Sequence, residues 1–177
     1  MTVLSCGALP DDALGFVLNA YGIRLARVPP EGPIPGSYWG EPEAGVVGRS
    51  LYVRCDTPVH SALHEACHIV CMSPERRQSL DTDAGGGYEE ENGVCYLQII
   101  LADYVPRLGR KRMLGDMDAW GYSFRLGSAE AWFRHDADDA RVWLCRWGLL
   151  DDENRPTWRV RGRVPVHSAE ITGGPPR

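Results

Sequence analysis

The amino-acid sequence predicts an α+β fold, with a short mixed or antiparallel sheet early in the chain and a C-terminal helical part. Three observations support this prediction. The chain has 177 residues, enough for one hydrophobic core and few for two. Its 44% hydrophobic and 24% charged residues are typical of globular proteins. Alternating patterns precede residue 54, whereas helical spacing dominates after it. We therefore predict a single domain over 1–170 and a disordered tail over 171–177, which is rich in Gly and Pro.

The first third of the chain contains one predicted helix and the strands of the sheet. Residues 11–21 begin with two aspartates and then place apolar residues at helical spacing, which predicts a helix. Residues 24–28 alternate and predict a short strand. Proline and glycine dominate 29–36, so we expect a loop there. Residues 46–53 are rich in β-branched and aromatic side chains and form the clearest predicted strand.

The rest of the chain is predicted to be mostly helical. Pro58 follows possible capping residues and is typical of a first helical position, and Pro74 ends the helix that it opens. Three glutamates begin the next helix, where acidic side chains suit the positive end of the helix dipole. The predicted helices are 58–72, 89–104, 107–120 and 128–150, and a last strand is predicted at 158–164.

Charge and hydropathy argue against two classes of partner. The net charge is −5, whereas a domain that neutralises phosphates usually has a basic surplus, so we expect no nucleic-acid partner. The longest apolar stretch, 95–102, is too short to cross a bilayer, so we expect no membrane span. The first residues lack the features of a signal peptide. The six cysteines include no Cys-x-x-Cys pair, which favours reduced thiols and a cytoplasmic location.

The stretch that indicates chemistry is His64-Glu65-Ala66-Cys67-His68 in the predicted helix 58–72. Residues four apart lie above one another on a helix, so His64 and His68 can present two imidazoles to one metal ion. Glu65 lies beside that face, where it can act on a water activated by the metal. Two histidines and a carboxylate are typical ligands of a catalytic Zn²⁺, which keeps one position open. The motif therefore predicts zinc-dependent hydrolysis with Glu65 as general base.

A strand ending near Val53, a turn with Pro58 and a helix with this motif resemble the zincin metallopeptidases over about residues 38–106. The resemblance implies hydrolysis of peptide bonds. It also implies that a peptide or protein substrate adds as a strand to residues 46–53. The residues after His68 lack the glycine and third histidine of metzincins, so the chain looks gluzincin-like, similar to minimal ImmA/IrrE-type bacterial peptidases.

In those peptidases a glutamate of the next helix completes the metal site. The resemblance implies Glu90 as this third ligand, because a small residue, Gly93, follows it three positions later and an apolar run comes next. Glu91 is the alternative, since a small change of helical register decides between the two. Gly93 stands where the family usually has alanine.

The sequence also leaves open which residue stabilises the oxyanion and whether the site is catalytic. Tyr122 and His135 are candidates for donating a hydrogen bond to the oxyanion of the reaction. An alternative function is a zincin-fold metal-binding regulator or partner-binding protein with little or no peptidase activity. A third reading is a structural zinc site closed by Cys67 or Cys71. The sequence gives no indication of the substrate or the oligomeric state.

Overall fold

The computed structural model describes residues 2–162. The predicted tail 171–177 and the end of the predicted strand 158–164 lie outside these residues, and 158–162 form no strand. The described part contains seven α-helices and three strands, an α+β fold as predicted. The helices are α1 (Gly15–Ala20), α2 (Val59–Cys71), α3 (Pro74–Gln78), α4 (Tyr88–Leu101), α5 (Gly109–Trp120), α6 (Ala129–His135) and α7 (Asp138–Arg146). The strands are β1 (Arg24–Arg27), β2 (Gly45–Val47) and β3 (Ser50–Val53).

The sheet is mixed and has the order β1-β3-β2. Strand β1 runs parallel to β3, and β2 pairs antiparallel to β3. The prediction of one strand over 46–53 is wrong, because the chain turns back at Gly48 and forms a hairpin. Gly48 has φ +58°, a conformation that glycine adopts without steric cost. The residues with high β-propensity in this segment therefore belong to two strands, β2 and β3, which a tight turn joins.

The outer side of β2 is also covered. Val46 donates its N–H to the Gly36 carbonyl, and its own carbonyl accepts from Thr82. Residues Val47 and Asp81 form an isolated antiparallel bridge. Because β3 lies between two strands and β2 has these partners, the predicted addition of a substrate strand at 46–53 meets no open edge there. This part of the substrate prediction is corrected by the hydrogen-bond pattern.

Helix α2 lies at the centre of the fold, between the sheet and α4. Nearly all of its side chains are buried, which follows from apolar residues on more than one face. Helix α4 packs against α2 on one side and α7 on the other. Backbone near residue 161 returns to α2: Arg161 donates its N–H to the Val70 carbonyl, and Arg77 donates to the Arg161 carbonyl.

The helix predicted over 128–150 is two helices. Its first half is capped by Ser128, whose hydroxyl accepts from the N–H of Ala131. Asp136 ends α6 with φ −143°, and α7 starts two residues later. The break lets α7 pack on α4 while α6 packs on α5. No helix among residues 2–162 has the length and apolar character needed to cross a membrane.

Candidate metal centre

Helix α2 carries both histidines of the motif on one face. The Nε2 atoms of His64 and His68 are 3.1 Å apart, as expected for a spacing of one helical turn. The opposite face is anchored in the core by apolar side chains that are fully buried. These residues are Val59, Leu63, Ile69 and Val70. Packing on that side fixes the rotation of the helix and hence the direction of the two imidazoles.

Glu91 is the carboxylate that faces the histidines. Its Oε1 lies 3.3 Å from Nε2 of His64, and its Oε2 lies 3.4 Å from Nε2 of His68. Glu91 stands in the first turn of α4, and the packing of α4 on α2 brings it to this position. The ligand atoms of the three residues all lie within 4.8 Å of one another. They could therefore hold one metal ion.

Glu90, which the family resemblance implied as the third ligand, points to a different part of the molecule. Its carboxylate is buried and accepts hydrogen bonds from Arg76 at 2.8 and 2.9 Å and from Arg161 at 3.0 Å. Consecutive residues of a helix point about 100° apart, so the two neighbouring glutamates cannot share one environment. The expectation of Glu90 beside the histidines is corrected to the alternative, Glu91.

Gln98 is a site residue that the sequence did not reveal. It is completely buried, and its Oε1 lies 2.7 Å from Nδ1 of His64. An amide oxygen only accepts, so His64 donates from Nδ1, and Nε2 is the nitrogen that faces His68 and Glu91. The sequence offered one signal for Gln98, its position inside the apolar run of α4, two turns after Glu91. A polar side chain buried there needs a hydrogen-bond partner.

The donor set fits a divalent metal. The Nε2 atoms of His64 and His68 face each other at 3.1 Å, an arrangement that requires a cation or a proton between them. Burial and the neighbouring His64 lower the pKa of His68 to about 3, so its imidazole is neutral. Burial would raise the pKa of Glu91, but the histidines lower it to about 2. Burial opposes it, but Tyr122, Cys95 and Glu91 raise the pKa of His64 well above its ordinary value, so a bound metal would take the place of its proton. Two imidazoles and one carboxylate are ligands of catalytic zinc sites.

Glu65 lies beside this group and faces a cavity of about 240 Å³ that His64, His68 and Glu91 also line. The side chain is 7% exposed. Burial raises the pKa of Glu65 to about 7, with a smaller opposing contribution from His64. A carboxylate with a pKa near neutrality can both accept and return a proton at physiological pH.

Tyr122 and His135 have different surroundings. The ring of Tyr122 stands edge-on to His64 with their centroids 5.8 Å apart, and it lines a second cavity of about 280 Å³. Burial raises the pKa of Tyr122 to about 12, so its hydroxyl keeps its proton. His135 is exposed at the end of α6 and lines neither cavity. Of the two predicted oxyanion donors, only Tyr122 is therefore near the histidines.

The thiols that the sequence suggested as extra ligands are not part of the group. Cys67 and Cys71 are completely buried in the core. A different thiol, that of Cys95, lies one turn after Glu91 and donates toward Glu91 Oε1 at 3.8 Å. His60, one turn before His64, is buried against the rings of Trp120 and Tyr122, and neither of its ring nitrogens has a hydrogen-bond partner among the described residues.

Comparisons with known protein families, with curated proteins and with solved structures returned no match for this chain. The function is therefore inferred from the geometry of the site itself.

Proposed function

We propose that this protein is a zinc-dependent metallopeptidase with a zincin-like fold. The observation that carries the proposal is the convergence of His64, His68 and Glu91, whose ligand atoms lie 3.1–3.4 Å apart. Glu65 stands next to them on a cavity that a substrate can enter. Those three residues would hold the metal, and Glu65 would be the general base. This combination of ligands and base is the one that a hydrolytic zinc site requires.

Bound zinc would supply Lewis-acid polarisation of the substrate carbonyl and would lower the pKa of water at its open position. Glu65 takes a proton from the attacking water and returns it to the amine that leaves. Its burial serves this role, because a carboxylate in water would have too low a pKa to return the proton efficiently. Gln98 holds His64 in the tautomer that leaves Nε2 free for the metal.

Tyr122 is the residue that we propose as hydrogen-bond donor to the oxyanion. Its hydroxyl stays protonated, as a donor must. It lines the second cavity, Glu65 lines the first, and His64 lines both. A carbonyl group bound beside His64 would then have the attacking water near Glu65 and its own oxygen within reach of Tyr122.

A substrate would contact the walls of the cavities rather than the hairpin. On one side stand Thr82 to Gly86, which precede α4, and on the other stand Tyr38 and Trp39. A cytoplasmic location also belongs to this proposal. All six cysteines are free, and reduced thiols are usual in that compartment.

The test is zinc stoichiometry combined with proteolysis. Zinc is measured in the purified wild-type protein and in His64→Ala, Glu91→Gln and Glu65→Gln. We expect one zinc per chain in the wild type and in Glu65→Gln, and loss of zinc in the other two variants. Cleavage of an unfolded protein should occur with the wild type and be absent with Glu65→Gln. A wild-type protein without stoichiometric zinc would contradict the proposal.

A closed, non-catalytic metal site is the second candidate, and the Cys95 thiol is the observation that favours it. The sulfur lies 3.8 Å from Glu91 Oε1, and a thiolate is a strong zinc ligand. If it occupied the fourth position, the protein would be a metal-binding regulator or partner-binding protein with little or no peptidase activity. Cobalt substitution separates the two: thiolate-to-cobalt absorption that disappears in Cys95→Ser indicates the closed site, and its absence indicates an open position.

A further inference from the structure

The two cavities near the candidate metal centre are halves of one cleft. Three residues line both cavities: Trp39, His64 and Glu91. The cavities have volumes of about 240 and 280 Å³, so each can take one or two side chains of a peptide. We use the name cleft for these two cavities together. A substrate whose scissile bond lies at the metal centre would place residues in both halves.

The cleft is acidic. Four carboxylates line it, those of Glu43, Glu65, Asp83 and Glu91. No lysine or arginine is among the residues that line either cavity in the described part of the chain. A divalent metal would offset the charges of Glu91 and Glu65. The charges of Glu43, in one half, and Asp83, in the other, would remain.

Hydrogen bonds hold these two remaining carboxylates in place without neutralising them. Trp120 donates its Nε1–H to Glu43 Oε1 at 2.9 Å, and the Gly85 N–H donates to Asp83 Oδ1 at 2.8 Å. Neither carboxylate has a salt-bridge partner among residues 2–162. The guanidinium of Arg76, which donates to the Ala84 carbonyl beside Asp83, is paired with the carboxylate of Glu90.

An exposed indole stands between the two carboxylates. Trp39 is 76% exposed although it lines both halves of the cleft. Its ring contacts Tyr38 edge-on, with centroids 5.0 Å apart, which leaves its outer face open. An indole face attracts guanidinium and ammonium groups, and tryptophan is the aromatic residue that does so most strongly. The indole and the carboxylates of Glu43 and Asp83 therefore attract the same cationic side chains.

From this combination we infer that the cleft selects peptide segments with arginine or lysine side chains next to the scissile bond. One basic side chain would approach Glu43 and the other Asp83, with Trp39 covering the basic side chains from outside. The inference rests on the proposed peptidase function and names its substrate class. Acidic segments are rejected, because their carboxylates would meet like charges at both ends of the cleft.

The test measures binding rather than turnover. Three blocked, fluorescent peptides of equal length carry arginine, glutamine or glutamate on both sides of a central apolar pair. Fluorescence anisotropy gives their dissociation constants for the full-length Glu65→Gln protein with zinc and, separately, with a chelator. The Glu65→Gln background keeps the peptides intact. We expect the arginine peptide to bind at least tenfold more tightly than the glutamine peptide, and the glutamate peptide to bind most weakly.

Matched variants assign the preference to the cleft. In the same background, Glu43→Gln with Asp83→Asn removes both charges and keeps an acceptor oxygen for Trp120 and Gly85. The ratio between the arginine and glutamine peptides should fall below threefold. The control, Asp12→Asn with Glu31→Gln, makes the same change of net charge at exposed positions outside the cleft and should keep the ratio.

A second pair of variants tests the indole. Trp39→Ala should weaken binding of the arginine peptide about threefold to tenfold with little effect on the glutamine peptide. Phe16→Ala removes another exposed aromatic ring, one that lines neither cavity, and it should leave the dissociation constants of both peptides unchanged.

Equal binding of the three peptides would overturn the inference, even if zinc binds and an unfolded protein is cleaved. A preference for arginine that survives removal of Glu43 and Asp83 charges would overturn it as well. If the preference is present and depends on these charges, the inference stands, whether or not the protein cleaves. Absence of zinc and of cleavage would in that case contradict only the proposed function.

Discussion

Replacing Glu90 by glutamine should destabilise the fold and leave zinc binding intact. The Glu90 carboxylate is 8% exposed and accepts three hydrogen bonds from two guanidinium groups. Glutamine keeps one acceptor oxygen but removes the negative charge, so Arg76 and Arg161 would face each other without compensation. Removing one partner of a buried ion pair costs about 3–5 kcal/mol. Arg76 is 35% exposed, so water screens part of the effect, and we expect about 3 kcal/mol.

The neighbouring substitution, Glu91→Gln, should have the opposite pattern. Glu91 is 45% exposed and is paired with the two histidines rather than with an arginine, so water screens its interactions and the loss of stability should be smaller than for Glu90→Gln. Zinc affinity should fall sharply in this variant because one of the three proposed ligands is lost. The two proteins differ from each other only in which of two adjacent glutamates has been changed, which makes each the control of the other.

Urea denaturation and zinc titration measure the two effects separately. Unfolding is followed with excess chelator in every sample, because bound metal would add its own stabilisation to the folded state. Zinc affinity is then measured by competition with a chromogenic chelator. If Glu90→Gln loses zinc while its free energy of unfolding is unchanged, the roles of the two glutamates assigned from the ion-pair geometry are reversed and the reasoning is refuted.

Three further outcomes follow from individual contacts. Gly93→Ala should destabilise the protein by about 1–3 kcal/mol in urea, because a Cβ there would lie 2.8 Å from the Trp143 ring, and unchanged stability would contradict the packing of α7 on α4. Gln98→Leu should weaken zinc binding about 10–100-fold in chelator competition; an unchanged affinity would mean that Gln98 does not hold the tautomer of His64. Tyr122→Phe should lower kcat about 100-fold or more with little change in KM, and full activity would exclude it as oxyanion donor.

The histidine pair could be predicted from sequence because its geometry is local. A helix start near Pro58, a stop before Pro74 and two histidines four residues apart fix the relation of the two imidazoles without reference to the rest of the chain. The position of Glu65 between them, which we propose as the general base, follows from the same helix. Each of these features depends on fewer than twenty consecutive residues.

The third carboxylate could not be predicted with the same certainty, because long-range contacts decide it. Three consecutive glutamates begin α4, and nothing in their own segment distinguishes Glu90 from Glu91. The distinction comes from Arg76 and from Arg161, which is 71 residues away from Glu90 in the sequence. Gln98 was missed for a related reason: its partner belongs to another helix, and only burial reveals that it needs one.

The errors in secondary structure also have local physical causes. The hairpin at 45–53 was predicted as one strand because β-propensity is equally high on both sides of the turn, and only Gly48 marks the reversal. The late amphipathic helix was predicted as continuous because its apolar spacing persists across Asp136. Tertiary packing on two different partners, α5 and α4, breaks it there.

The return of the chain near residue 161 to α2 has a consequence for synthesis on the ribosome. The guanidinium of Arg161 reaches Glu90, next to the proposed third ligand Glu91, and the backbone of Arg161 is bound to α2. Before Arg161 has been synthesised, a nascent chain can contain both histidines and all three glutamates and yet lack the contacts of Arg161 with Glu90 and Val70. We therefore expect the packing of α4 on α2 to reach its full stability only after these late residues have emerged, so that the fold around the site is completed after translation rather than during it.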